Sequence, residues 1–206
     1  MIKKMSKCFR LNASEKQYIE SIKINNTLTG FEWDSLKKTP EMVALKLAIR
    51  TRLRKIQNGY CAYCGNKYHV TSEDHIEHIA PKAPSRHPEW MFKEHNLVLA
   101  CQYCNGFIKK GVKDTVAVKN TDYKKCCFKL VHPYFDNPDE HYIFTSADKR
   151  ILISHKSAQG AYSIKMFKLD QIIQSEARAK DAIYHEYELK PAQERKIDLV
   201  LRYRAS

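Results

Sequence analysis

The 206-residue sequence predicts an α+β protein in which helices flank a small β-containing centre. Three observations predict it. A strong helical pattern runs through TPEMVALKLAIRTRLRKIQNGY, from Thr39 to Tyr60. Two cysteine pairs, Cys61/Cys64 and Cys101/Cys104, then bracket a central segment. Beyond it, the short apolar runs HYIF and ILIS flank TSADKR and read as a β-hairpin, followed by a second helical pattern.

The elements follow in chain order. Residues 1–38 are mixed, with FEWDSLKK supplying an aromatic anchor at the end of a short helix. The next segment can start at Thr39 as cap, with Pro40 in the first turn and Glu41 complementing the positive helix end. Met42, Leu45, Ile49, Leu53 and Ile56 recur at three- to four-residue spacing and draw one apolar stripe, and Asn58-Gly59 ends the helix. Lys113 to Lys125 is polar and reads as a loop, and KLVHPYF (129–135) reads as a strand. From Tyr162 the pattern turns helical, with Asp170 able to cap QIIQSEARAKDAIYHEYEL. Pro191 breaks it before a short terminal helix. The expected organisation is a basic helical arm (1–58), a motif-rich core (59–112) and a hairpin-plus-helix extension (113–206) forming one compact unit with the core.

Hydrophobic residues make up 43% of the chain, enough for a sizeable core. No run of about eighteen apolar residues predicts a membrane helix, and the N-terminus lacks the apolar stretch of a signal peptide. A cytoplasmic location, away from membranes, is expected. The net charge of +13 makes a polyanion the expected partner, foremost nucleic acid. The excess is uneven: residues 1–60 carry 13 Lys/Arg against 5 Asp/Glu, and 61–112 carry 6 against 5. Basic flanks that hold a polyanion around a more specific centre fit this distribution.

Seven cysteines without a secretory route argue against a disulfide framework. Two thiolates at a two-residue gap can both reach one tetrahedral ion, and two such knuckles complete the closed shell of structural zinc. Cys61, Cys64, Cys101 and Cys104 are the expected ligands; an iron–sulfur cluster uses the same ligand type. Gly65 to Ala100 exceeds the roughly 15–20 residues of an ordinary zinc-ribbon gap. The extra length holds EDHIEHIAPK. A closed thiolate shell offers no open position, so any chemistry must lie elsewhere.

Phosphodiester hydrolysis needs an activated water, a cation on the phosphate and help for the leaving oxygen. Glu77-His78 pairs a carboxylate, suited to a hard cation, with an imidazole that can take a proton near neutral pH. Neighbours on a strand point to opposite faces, so a bent strand end is needed to bring both together. Asn105, just after the last cysteine, would be fixed by the knuckle. Asp74-His75 is a second acid–histidine pair, read as hairpin or substrate-side surface. His69, His87 and His95 read as structural or exposed, His132 and His141 as packing or surface residues with phosphate contact as the alternative, and Cys126-Cys127 as buried apolar packing.

IEHIAPK, then NL, then CxxCN, framed by the earlier CxxC, resembles the HNH endonuclease family in its zinc-containing form. The resemblance implies a ββα-metal core of one hairpin and one helix around a catalytic divalent ion, magnesium or manganese. It gives His78 the role of general base, Glu77 and Asn105 those of metal ligands, and Asn96 that of bracing the histidine loop. Glu stands where Asp is more frequent, and Lys109-Lys110 follows the last ligand at altered spacing. More loosely, HPEW, LVHPYFDNPDEHYIF and the helical tail resemble the HNH subunits of retron and Septu-type antiphage systems, the PtuB-like group, which implies a partner ATPase. The expected function is metal-dependent cleavage of nucleic acid, DNA foremost. The alternatives are an RNase acting on structured RNA such as tRNA, and a non-catalytic zinc module that only binds.

Overall fold

The computed structural model describes residues 2–68, 73–145 and 150–186. Helix α1 (Ala13–Ser21) was not anticipated, although Asn12 and Glu15 form a capping box, each side chain bonding the other's backbone N–H at 2.8 Å. Helix α2 (Glu32–Ser35) carries the aromatic anchor Trp33, which is buried. Helix α3 (Pro40–Gln57) starts at the Thr39 cap and ends where Asn58 turns left-handed at φ 49°. Met42, Leu45, Ile49 and Leu53 face inward as the stripe requires. The last inward place goes to Gln57, while Ile56 is half-buried. Arg52 reaches Glu15 Oε2 at 2.8 Å and ties α1 to α3.

The centre is an antiparallel hairpin of β1 (Asp74–His78) and β2 (Leu97–Cys101), in regular register from Asp74↔Cys101 to His78↔Leu97. The outer edge of β2 is not left open. Gln57 accepts from Leu99 N–H (2.7 Å) and donates to Leu99 C=O (2.8 Å), substituting for a third strand. Helix α4 (Gln102–Asn105) follows β2 directly and packs on both strands.

The C-terminal part corrects two expectations. The polar stretch 113–125 contains β3 (Val116–Val118), paired with β4 (Cys127–Phe128). The expected strand 129–135 is instead a turn. Pro133 has no N–H for a ladder, and His132 C=O accepts from both Phe135 and Asp136 N–H. Cys126 is buried but Cys127 is exposed. After α5 (Pro138–His141), β5 (Tyr142–Phe144) and β6 (Ile153–His155) pair as the expected hairpin. Helix α6 (Ala158–Phe167) begins earlier than Tyr162, capped by Ser157, and α7 (Ile172–Glu186) follows. The expected break at Pro191 and the terminal helix lie outside the described residues.

Buried side chains from the arm, the centre and the extension join one cluster. Tyr63 in the first cysteine turn stacks on Phe167 of α6 at 4.2 Å, and Tyr134 donates to Leu97 C=O at 2.7 Å. The extension thus buttresses the hairpin from behind. None of the described helices is long and apolar enough to cross a membrane.

Candidate active site

The four cysteines converge as their spacing implies. The first turn closes with Gly65 N–H on Cys61 C=O at 3.0 Å, with Gly65 at φ +68°. The second pair sits at the junction of β2 and α4, with Cys101 as the N-cap. All four are buried, and their Sγ atoms lie within 4.8 Å of one another. The Cys64–Cys101 sulfur separation is 3.8 Å. A tetrahedral ion with metal–sulfur bonds of about 2.3 Å sets its sulfurs about 3.8 Å apart, whereas a disulfide needs about 2.05 Å. Cys101 N–H also points at Cys61 Sγ (3.4 Å), as donors do around a metal-bound thiolate. Hydrogen bonds from Cys104, Cys61 and Cys64 push the Cys101 thiol far down, while hydrogen bonding to Cys101, with burial, pushes Cys64 and Cys104 up. Such a donor set fits zinc.

The span between the pairs is organised by Asn96, which is fully buried. Its Nδ2 donates to Ala80 C=O (3.0 Å) and Trp90 C=O (2.9 Å); its Oδ1 accepts from Ala80 N–H (2.6 Å) and Tyr123 O–H (2.9 Å). The two carbonyls fix which end is the amide nitrogen. Since Oδ1 can only accept, Tyr123 donates to it and takes a hydrogen bond from His132 Nε2 (3.1 Å). His132 Nδ1 then accepts from Tyr134 N–H at 3.2 Å. The sequence reading of His132 as a packing or surface residue does not reach its support of Asn96. Nothing in local pattern could reveal a relay between residues so far apart.

His78 ends β1 just before this braced loop. Its Nε2 lies 3.1 Å from Met91 C=O, and its ring meets Trp33 edge-on at 4.7 Å. A carbonyl only accepts, so Nε2 carries the proton and Nδ1 keeps its lone pair. Burial holds the imidazole well below its ordinary pKa, assisted by Lys82 and Lys110, so it is neutral at pH 7.

Glu77 points to the other face, because β1 keeps regular pairing through His78 and shows no bend. The structure therefore does not bring Glu77 and His78 together. Glu77 Oε1 lies 2.6 Å from Lys110 Nζ, and both side chains are buried. Burial raises the carboxyl's pKa, opposed by Lys110. Despite that contact, no donor meets Oε1 in hydrogen-bond geometry. Lys109 instead lies over the Tyr103 ring at 4.4 Å.

Asn105 lines an open groove of about 510 Å³ whose other polar walls are Trp33, Lys37, Lys46, Arg50 and His75. His75 stands on the rim of this groove, while Asp74 is buried and held by Arg54 through two hydrogen bonds of 2.5 and 2.9 Å.

A CxxC-clamped hairpin and short helix, with Asn96 pinning the intervening loop, define a zinc-type HNH core, and residues 61–110 match the HNH endonuclease family. That stretch is an HNH domain. Beyond it, the chain is 30% identical over 165 residues to the Septu protein PtuB of Bacillus mycoides (strain KBAB4). The match covers 71% of this chain and 54% of that protein, so the chain spans about half the length of the relative.

Proposed function

We propose that this protein is a metal-dependent endonuclease that hydrolyses nucleic-acid phosphodiester bonds, with DNA as its first substrate, as an antiphage effector. The observation that carries the proposal is the state of His78: neutral, with Nε2 tied to Met91 C=O and a lone pair free on Nδ1. An imidazole so held can take a proton from water without first losing one of its own. Asn96 holds the loop that supplies the Met91 carbonyl, which makes it a positioning residue.

The HNH resemblance makes Glu77 and Asn105 the side chains that would hold a divalent ion, although Asn105 lines the groove and Glu77 is buried against Lys110. Glu77 Oε1 is ion-paired with Lys110 at 2.6 Å, so Lys110 would have to yield for the carboxylate to hold an ion. A bound magnesium or manganese ion would supply charge stabilisation at the phosphate and leaving oxygen. The four cysteines would hold zinc, and their contribution is the geometry of the hairpin–helix corner. A water nucleophile makes no demand on a 2′-hydroxyl, so structured RNA belongs in the same assay. The likeness to PtuB supports the defence role and motivates a search for a partner ATPase by co-purification.

The test is cleavage of plasmid DNA and of structured RNA by the zinc-loaded protein, with and without magnesium or manganese, alone and with that partner. His78→Ala should abolish cutting and leave zinc content unchanged. Cutting by this variant at the wild-type rate rejects the assignment. Tight binding with no cutting under any condition favours a non-catalytic zinc module.

A further inference from the structure

The groove beside β1 has features that the hydrolytic chemistry does not use. Its polar walls carry Lys37, Lys46 and Arg50 and no carboxylate. Arg50 is only loosely paired, and its side chain is partly exposed to the groove. Its nearest carboxylate oxygen, on Asp74, is 3.7 Å away and is already taken by the two-point contact from Arg54. Arg50 Nε is buried yet has no acceptor. A buried N–H without an acceptor is costly unless a ligand supplies one.

Lys46 points the same way. Its Nζ is fixed by Trp33 C=O at 2.6 Å and lies over the Trp33 ring at 4.3 Å. Burial lowers its pKa most; Asp34 opposes this, and Lys82, Lys37 and Arg50 add to it. Asp34 is itself engaged by Lys82 at 2.6 Å. The cations therefore crowd one another, and an anion in the groove would relieve that repulsion. The Trp33 ring that lines this groove also touches His78, and Asn105 closes the far wall. A backbone lying here would rest against Trp33, the ring on which the proposed catalytic histidine packs.

We propose that this groove is the track of the substrate's sugar–phosphate backbone, with Arg50 and His75 as phosphate contacts and Lys37 and Lys46 along its side. The proposal rests on the nuclease reading for the identity of the polyanion. It gives the N-terminal arm a defined part in substrate binding, because α2 and α3 form one whole wall.

The test is binding rather than cleavage. A fluorescein-labelled oligonucleotide, single- or double-stranded, is titrated with zinc-loaded protein without added divalent ion, from 50 to 200 mM salt. Arg50→Ala should weaken binding about tenfold or more at low salt. It should also make the log–log salt slope shallower by about 0.9 for duplex or about 0.7 for single strand. Arg50→Lys, which keeps the charge, should keep the slope, and His75→Ala should also weaken binding. Lys165→Ala in α6 should bind as wild type. Wild-type affinity and slope in Arg50→Ala, or no binding by the unaltered protein at 50 mM salt, overturns the proposal. The two readings fail separately. If His78 is needed for cutting but Arg50→Ala binds normally, the groove assignment falls. If groove variants lose binding but no condition yields cutting, the nuclease reading falls.

Discussion

Replacing Asn96 with alanine probes the brace most sharply. The substitution strands the Ala80 N–H and the Tyr123 O–H, and removes one donor each from the carbonyls of Ala80 and Trp90. All four groups belong to buried residues. A stranded buried donor costs about 1–3 kcal/mol, and a carbonyl that loses one contact costs less. Tyr123 cannot simply redirect its proton to His132, because Nε2 of that ring is itself a donor. The expected loss is about 3–5 kcal/mol, measured by urea unfolding with both proteins zinc-saturated. Asn96→Asp should behave differently. Its carboxylate keeps both donors but faces two carbonyls, so the acid form is favoured and its pKa rises. That variant should therefore approach wild-type stability as pH falls from 7.5 to 5, while Asn96→Ala shows no such recovery. An alanine variant within 1 kcal/mol of wild type, or an Asp variant with no pH-dependent recovery, would refute the brace.

Three further outcomes are expected. Stripping the four-cysteine site, or replacing Cys64 with serine, should cost of the order of 10 kcal/mol and unfold the hairpin–helix corner, read by circular dichroism against zinc content. His132 is held well below its ordinary pKa by burial, so the stability it contributes is complete above about pH 6.5 and declines as pH falls below that value. His132→Phe should therefore lose less between pH 7.5 and 5 than wild type, with the difference approaching about 1.4 kcal/mol per pH unit. Lys110→Met leaves a buried carboxylate unpaired and should cost about 3–5 kcal/mol, whereas Glu77→Gln with Lys110→Met should cost less than Lys110→Met alone. Equal losses in the single and double variants would contradict the ion pair.

What could be read from the chain was what depends on short-range pattern. The α3 stripe, its Thr39 cap and its left-handed Asn58 stop are local features, and each has the structure the sequence implies. The cysteine cluster was legible because two-residue gaps constrain geometry whatever lies between them. The hairpin at 142–155 was legible from two short apolar runs flanking a polar turn. The strand expected at 129–135 failed because alternation was weighed above Pro133, which cannot donate to a ladder. The capping box at Asn12 and Glu15 was a local signal that was overlooked.

The candidate site was only partly legible. The HNH resemblance singled out Glu77, His78, Asn96 and Asn105, but it could not say which faces they occupy. Regular pairing of β1 separates Glu77 from His78, and Lys110, not an open site, meets the carboxylate. Gln57 closing the edge of β2, His132 behind Asn96, and Arg50 without an acceptor all arise from contacts between distant segments. No periodicity carries that information.

The most direct measurement is plasmid cleavage by zinc-loaded wild type and His78→Ala, side by side, with magnesium or manganese and with the partner ATPase if one co-purifies. The account predicts cutting by the wild type alone, dependent on the added ion, at equal zinc content. Equal cutting by both proteins, or none by either, would contradict it.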